Sequence, residues 1–225
     1  MALRERTRGT TPRDEAELVA RARDLEGVSL AAIARTLGEE DARIGLRTKG
    51  RAGELVERAL GATGGSGARV DFPDLGVELK TVPVDAAGRP RESTFVCTFP
   101  LSVADRTTWA GSWARRKLAC VLWVPVIVGE EALGRAVVWR PTPAQEAVLA
   151  ADFEEIVGLA GAGRVEDLRA HVGRWLQVRP KAANNRERTL AFGPESEPVP
   201  ALPRGFYLRA RFTGAILRDP AAVPE

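Results

Sequence analysis

Apolar and polar positions follow two rhythms along this chain, and the switches between them mark out its elements. In "RDEAELVARARDLEG", residues 13–27, apolar residues fall at helical spacing and the run ends in Gly, which predicts a first helix. "SLAAIARTLG" predicts a second helix starting at Ser29. "GRAGELVERALGA", residues 50–62, predicts a third, with Leu55, Val56, Ala59 and Leu60 as its apolar stripe and Glu57 beside it. Two short helices across a tight turn outline a helix-turn-helix DNA reader. The second one, however, carries one Arg and no Asn, Gln or Lys to reach base edges, so it reads as a packing helix. The connector "TGGSGA", residues 63–68, lacks the Gly-Lys-Ser/Thr ending of a phosphate-binding loop.

From residue 69 the rhythm changes. Strands are predicted at 69–72, 77–84, 93–99 and 119–128, with a helix near 111–118, and "RAVVWRP", residues 135–141, reads as a further strand. "TPAQEAVLAADFEEIVGLAGAG", residues 142–163, is a long amphipathic helix with Thr142 and Pro143 as start signals and Gly at its end. "RWLQVRP", residues 174–180, and "GFYLRARF", residues 205–212, read as late strands, and "TGAILR" as a final helical turn. No internal repeat is seen. Segregated helices with a mainly mixed sheet place the chain in the α/β (α+β) class. Residues 1–12 read as a disordered lead, 13–218 as the folded domain and 219–225 as a tail.

Composition narrows the classes. At 225 residues the chain suits one large domain or two small lobes. No apolar run is long enough to span a membrane, and "MALRERTRGTTPRDE" lacks the apolar core of a signal peptide. Cys97 and Cys120 sit in apolar strand-like runs, which predicts reduced, buried thiols in a cytoplasmic protein. His171 is the one histidine, so a His-based zinc site or a Ser-His dyad is not expected. Charge is uneven. Residues 174–218 hold nine basic and three acidic side chains, whereas 141–173 hold six acidic and two basic. A basic C-terminal third is the footprint of a polyanion-binding face, and also of a solvated surface in an Arg-rich protein.

Lysine usage is the sharper signal. Of 33 Lys plus Arg, only Lys49, Lys80, Lys117 and Lys181 are lysine. One of them sits in "VDFPDLGVELKTV", residues 70–82. Alternation puts Glu78 and Lys80 on one face of a strand. "PDLG" has Pro and Gly where a type I turn favours them. If it forms the hairpin loop, Phe72 pairs with Val77 and Asp71 lies opposite Glu78. Facing carboxylates on a half-buried sheet are destabilising unless a cation sits between them. Two carboxylates and a lysine on one face suit Mg²⁺ and an activated water. On this geometry Asp71 is the candidate ligand and Asp74 points into water at the loop tip. The competing reading is a surface hairpin with ordinary salt bridges.

The segment "DFPDLGVELKTVPVDAAGRPRESTFVC" resembles the active-site segment of the MutH family, the endonucleases of methyl-directed mismatch repair. "KGRAGELVERALGA", "TTWAGSWARRKLACVLWVPV", "RWLQVRPKAAN" and "LPRGFYLRARFTGAIL" resemble further blocks of that family in the same order, so the likeness runs from about residue 13 to 218. The resemblance implies a restriction-endonuclease-like mixed sheet flanked by helices, in two lobes forming a DNA-binding cleft. It implies Mg²⁺, with Mn²⁺ able to substitute, and nicking of the unmethylated strand at hemimethylated GATC. The implied partners are double-stranded DNA, hemimethylated or unmethylated at GATC, and MutL, with MutS indirectly; the protein itself is expected to be a monomer. Residue by residue, Asp71, Glu78 and Lys80 match the catalytic Asp, Glu and Lys. Glu57 matches a further acidic residue at the metal, and Lys117 a second active-site lysine. Arg179, Pro180, Lys181 and Tyr207 match a base-reading region, Lys49 and Gly50 a DNA-contacting turn, and Phe95 an aromatic that wedges against DNA.

Three features depart from the family pattern: Arg51 stands where a large apolar or aromatic residue is expected, the 129–135 loop is short, and the end is the Pro-rich "DPAAVPE". Two rival functions remain at this level. A stand-alone restriction endonuclease of GATC type would cut both strands without MutL. A non-catalytic DNA-binding module would keep the basic third without needing the carboxylates or Lys80.

Overall fold

The computed structural model describes residues 10–39, 50–65, 69–169, 171–182, 184 and 186–224. Its helices are α1 (Glu15–Asp24), α2 (Leu30–Thr36), α3 (Arg51–Leu60), α4 (Trp113–Leu118), α5 (Pro143–Gly161) and α6 (Ala210–Arg218). Its strands are β1 (Glu78–Val84), β2 (Thr94–Phe99), β3 (Val121–Ile127), β4 (Ala132–Leu133), β5 (Val137–Trp139), β6 (Leu176–Pro180), β7 (Thr189–Phe192), β8 (Pro198–Ala201) and β9 (Arg204–Leu208). The described residues form two compact units. The first draws on 10–39, 50–65, 69–92, 119–140 and 214–223, the second on 93–118, 141–169, 171–182, 184, 186–213 and 224.

In the first unit β1 runs parallel to β3, in register from Glu78–Val121 to Val84–Ile127. A parallel pair needs a long crossover, and here that connection passes through residues 93–118 of the second unit. β4 and β5 both pair antiparallel with β3, so the sheet is mixed. Helix starts are capped as their sequences suggest: Asp14 accepts from the Glu17 N–H at 2.8 Å and Ser29 from Ala32 at 3.2 Å. Leu18, Ile33, Leu55, Val56 and Leu60 from the helices join Phe72, Val77, Leu79, Leu122 and Val124 in one buried core. The second helix is therefore a packing element, as its lack of base-reading side chains predicts.

In the second unit β2 and β6 flank β9, both antiparallel to it, and β7 and β8 form a separate hairpin. α5 begins with a full capping box between Thr142 and Gln145, with Pro143 in its first turn. Its Asp152 carboxylate accepts main-chain N–H bonds from Arg174, Trp175 and Leu176 at 2.6, 2.6 and 2.7 Å, fixing the start of β6. Phe153 stacks on Phe206 with ring centroids 5.0 Å apart, and Phe206 meets Phe99 at 4.7 Å.

Four sequence expectations need correction. Residues 69–72 are not a strand; only the Phe72–Val77 bridge forms there. Residues 209–212 turn into α6 instead of extending β9, and the β7–β8 hairpin has no counterpart among the predicted strands. Of the lead expected to be disordered, residues 10–12 are packed: Pro12 is buried, and the Thr10 carbonyl accepts from the Arg21 guanidinium. The tail likewise buries Val223. Cys97 and Cys120 are buried and not disulfide-bonded. Among the described residues no helix is long and apolar enough to cross a membrane.

Candidate active site

Strand alternation brings Glu78 and Lys80 to one side of β1, where the Lys80 Nζ lies 2.5 Å from Glu78 Oε1. The Glu78 side chain is 1% exposed and that of Lys80 15%. The turn at 73–76 closes as the sequence predicts: Phe72 N–H donates to the Val77 carbonyl at 2.9 Å, and Asp74 is exposed. The ladder stops there. Phe72 and Val77 exchange both main-chain bonds, so the next two residues, Asp71 and Glu78, turn their peptide groups outward to other partners. The Asp71 carbonyl accepts from the Thr63 and Gly64 N–H groups, both at 3.0 Å, and the Glu78 N–H donates to Cys120 at 2.9 Å. Asp71 reaches β1 through its side chain instead: Oδ2 accepts from the Leu79 N–H at 2.7 Å.

Burial pushes the Asp71 carboxyl up from 3.8 to about 6, with the Glu78 charge as the next cause; the Leu79 N–H bond pulls it back. Glu57 adds to the rise and Lys80 opposes it, so Glu57 lies within electrostatic range of this carboxyl. Glu57 hangs from α3 over β1. A Cβ added at Gly53 would sit 3.4 Å from Thr81 Oγ1 and 3.7 Å from Glu57 Oε1, so a small residue lets that helix approach. Among the described residues no group of three or more His, Cys, Asp or Glu converges as a ready-made metal cage. The donor set is a buried carboxylate pair with a more distant third charge. That set fits Mg²⁺, which prefers hard oxygen ligands and usually takes one or two carboxylates, retained waters and substrate phosphate oxygens. Burial is the first cause of the raised Asp71 pKa and the Glu78 charge the second, and a bound cation would favour the ionised carboxylate against both.

The second unit gathers another set. Phe95 on β2 and Tyr207 on β9 are register partners, their rings edge to face with centroids 5.3 Å apart. Lys181 Nζ sits 4.6 Å from the Phe95 ring centre, and the Arg179 guanidinium 6.0 Å from that of Tyr207. Pro180 ends β6, and the Lys181 N–H is tied to the Pro203 carbonyl at 2.7 Å. Five residues singled out from the sequence thus form one aromatic and cationic cluster. Lys117 lies in α4 of this unit, buried. Gly50 precedes α3 with φ +89°, a left-handed conformation that suits glycine. Lys49 lies outside the described residues.

A family model described as "DNA mismatch repair enzyme MutH" matches residues 60–152, the span holding Asp71, Glu78, Lys80, Phe95 and Lys117. The DNA mismatch repair protein MutH of Serratia proteamaculans is 45% identical over 217 residues, covering 92% of this chain and 93% of the relative. That of Vibrio cholerae is 43% identical over 213 residues, covering 92% and 96%. The chain belongs to the MutH family.

Within this MutH-family chain, two features have contacts that the sequence reading did not show. Gly64, in the connector set aside as no phosphate loop, is pressed against the segment that carries Asp71. A Cβ there would fall 1.9 Å from the Val70 carbonyl oxygen, so only glycine lets the Thr63 and Gly64 N–H groups hold Asp71. The second is Arg51, the departure from the family pattern. It forms ion pairs with Glu39 and, at 2.8 Å, with Glu54, and Glu39 also pairs with Arg58. An arginine at a helix start is unfavourable to the helix dipole, and these two carboxylates offset it.

Proposed function

We propose that this MutH-family protein is a Mg²⁺-dependent endonuclease that nicks the unmethylated strand of hemimethylated GATC sites and is activated by MutL. The observation that carries this reading is the buried Asp71–Glu78 pair with Lys80 bonded to Glu78, a like-charge site that a divalent cation would complete. Asp71 and Glu78 would hold the ion, and Glu57 would add charge that strengthens its attraction. The ion, when bound, polarises the scissile phosphodiester and lowers the pKa of the attacking water. Lys80, fixed by Glu78, orients that water or takes its proton. Lysine suits this role because its pKa shifts readily, whereas arginine stays charged. Lys117 stabilises charge building on the phosphate.

The second unit supplies the sequence reading. Lys181 and Arg179 offer donors to guanine O6 and N7. Tyr207, held edge-on by Phe95, senses whether the adenine carries an N6 methyl, by fit and by loss of a donor. Gly50 and Lys49 contact the DNA backbone. The host compartment of this chemistry is the cytoplasm, and the working species is a monomer.

The test is a strand-resolved nicking assay on unmethylated, hemimethylated and fully methylated GATC duplexes, with Mg²⁺ and with and without MutL. Nicks confined to unmethylated strands and accelerated by MutL are expected. Equal cutting of a scrambled site sinks the specificity. Efficient double-strand cleavage without MutL favours the restriction reading instead.

A further inference from the structure

The sheet face that carries the aromatic pair continues beyond it. Gln177 is the β6 register partner of Tyr207 and so shares that face, while Ser93 and Arg209 stand just beyond the ends of β2 and β9. The three are joined by hydrogen bonds. Gln177 Nε2 donates to Ser93 Oγ at 2.7 Å, and Arg209 Nη1 donates to Gln177 Oε1 at 3.3 Å. With His171, Ala210 and Arg211 they line a hollow of about 480 Å³.

Its chemistry is anionic by complement. Arg209 and Arg211 supply two positive charges. The nearby acids are engaged: Asp152 accepts three main-chain N–H bonds, and Glu155 accepts from the Gly173 N–H at 3.3 Å. Arg209 is braced by the Val172 and Gly173 carbonyls, at 3.1 and 2.8 Å from its Nη2. Burial lowers its pKa first and the charge of Arg211 second, against Asp152. Like charges crowded at the rim of a hollow are offset by an anion. α6 begins at Ala210, and the first N–H groups of a helix favour anions too.

We propose that this hollow seats one DNA backbone phosphate flanking the bases met by Phe95, Arg179, Lys181 and Tyr207, with Arg211 and Arg209 as charged donors and the Ser93 hydroxyl as a neutral one. The proposal rests on the DNA reading above. Position favours a DNA phosphate over a small free anion. Two residues of chain span at most about 7 Å between Tyr207 and Arg209, so the same few nucleotides reach both. Such a contact fixes register and carries no base information of its own.

The test uses the full chain, a GATC duplex and a scrambled duplex, and affinities measured across a salt series. Arg211→Gln should weaken both duplexes by a similar factor, roughly tenfold. It should also flatten the slope of log affinity against log salt by about one. A scan of neutral methylphosphonates should find one position outside GATC that weakens wild type but not Arg211→Gln. Ser93→Ala, a milder change, should reduce the penalty at that same position. If wild type binds DNA and Arg211→Gln keeps its affinity, salt slope and methylphosphonate pattern, the hollow holds no DNA phosphate and the proposal falls while the DNA reading stands. Wild type that binds neither duplex overturns the DNA reading and this occupant together. Inorganic phosphate that shifts the Ser93 and Arg211 amide NMR signals, with identical methylphosphonate patterns in wild type and variant, marks a free-phosphate site and likewise overturns it.

Discussion

Asp71 reaches Leu79, not Glu78: its Oδ2 accepts the Leu79 N–H at 2.7 Å, which fixes the buried carboxyl against the strand that carries Glu78 and Lys80. The bond favours the ionised form, yet burial and the Glu78 charge prevail, and the pKa stands at about 6.

Removing that charge should stabilise the metal-free protein. The folded pKa, about 6, exceeds the ordinary 3.8, so the group favours folding in its protonated form. Its penalty is absent below the lower value, grows as pH rises through this window, and is full above the upper one. Asp71→Asn keeps an acceptor for Leu79. It should raise unfolding free energy at pH 8 by at most about 3 kcal/mol and change little near pH 4. Urea unfolding with a chelator checks this, and added Mg²⁺ should narrow the gap by stabilising wild type alone. Nicking by the variant should be lost.

Lys80→Arg should abolish nicking while sparing DNA binding. The lysine side chain is 15% exposed and its amine lies 2.5 Å from Glu78, so a guanidinium has no equivalent seat. A rate loss of about 10² or more, with duplex affinity little changed, is expected for a lost proton-transfer or water-orienting group. Single-turnover nicking and anisotropy, run in parallel, measure both. Wild-type rates in Lys80→Arg would remove Lys80 from the chemistry.

Gly64→Ala should damage the site from a distance. Its Cβ would meet the Val70 carbonyl at 1.9 Å, so the backbone must move and take Asp71 with it. The expected cost is about 1–3 kcal/mol in stability, together with weaker Mg²⁺ affinity. Gly65→Ala is the comparison: its φ is +64°, but nothing lies within 4 Å of its added Cβ. It should lose only about 1–2 kcal/mol of backbone strain and leave Mg²⁺ affinity intact. Urea midpoints and calorimetric Mg²⁺ titrations separate the two.

Lys181→Ala should erode discrimination more than affinity. Its amine stands 4.6 Å from the Phe95 ring centre, and that ring meets Tyr207 edge to face. Loss of a base-edge donor costs about 1–3 kcal/mol at the position it reads. The ratio of GATC to scrambled-duplex affinity should therefore fall by about tenfold or more. An unchanged ratio with weaker binding overall would make Lys181 a phosphate contact.

Much of this was legible because short-range rules dominate at particular residues. The Thr142 and Pro143 start signals placed the start of α5, and the Pro73–Gly76 turn placed the Phe72–Val77 pairing. Alternation alone put Glu78 beside Lys80. What escaped depends on distant partners. The Asp71 main chain looks like strand until the Thr63 and Gly64 amides claim its carbonyl. "RARF" alternates like strand, but the Arg209 carbonyl accepts from the Phe212 and Thr213 N–H groups at 3.0 and 3.1 Å, which commits the chain to helix. The β8 segment "PVPA" hides behind two prolines, which fit an edge strand and conceal it. Gly64 and Asp152 gave no signal, since their roles lie in what they touch.

The packing of residues 10–12 bears on how this chain can be shortened. Sequence likeness starts near residue 13, an inviting place to trim or to join a fusion partner. Cutting there would take away the Thr10 carbonyl that Arg21 holds, and with it Pro12 from its buried seat. It would also uncover Gly61, whose added Cβ would meet the Thr10 carbonyl at 2.3 Å and which ends the helix bearing Glu57. A shortened version that keeps Glu57 and the Asp71–Glu78–Lys80 cluster in order should begin before Thr10, and an N-terminal fusion should leave a spacer ahead of it.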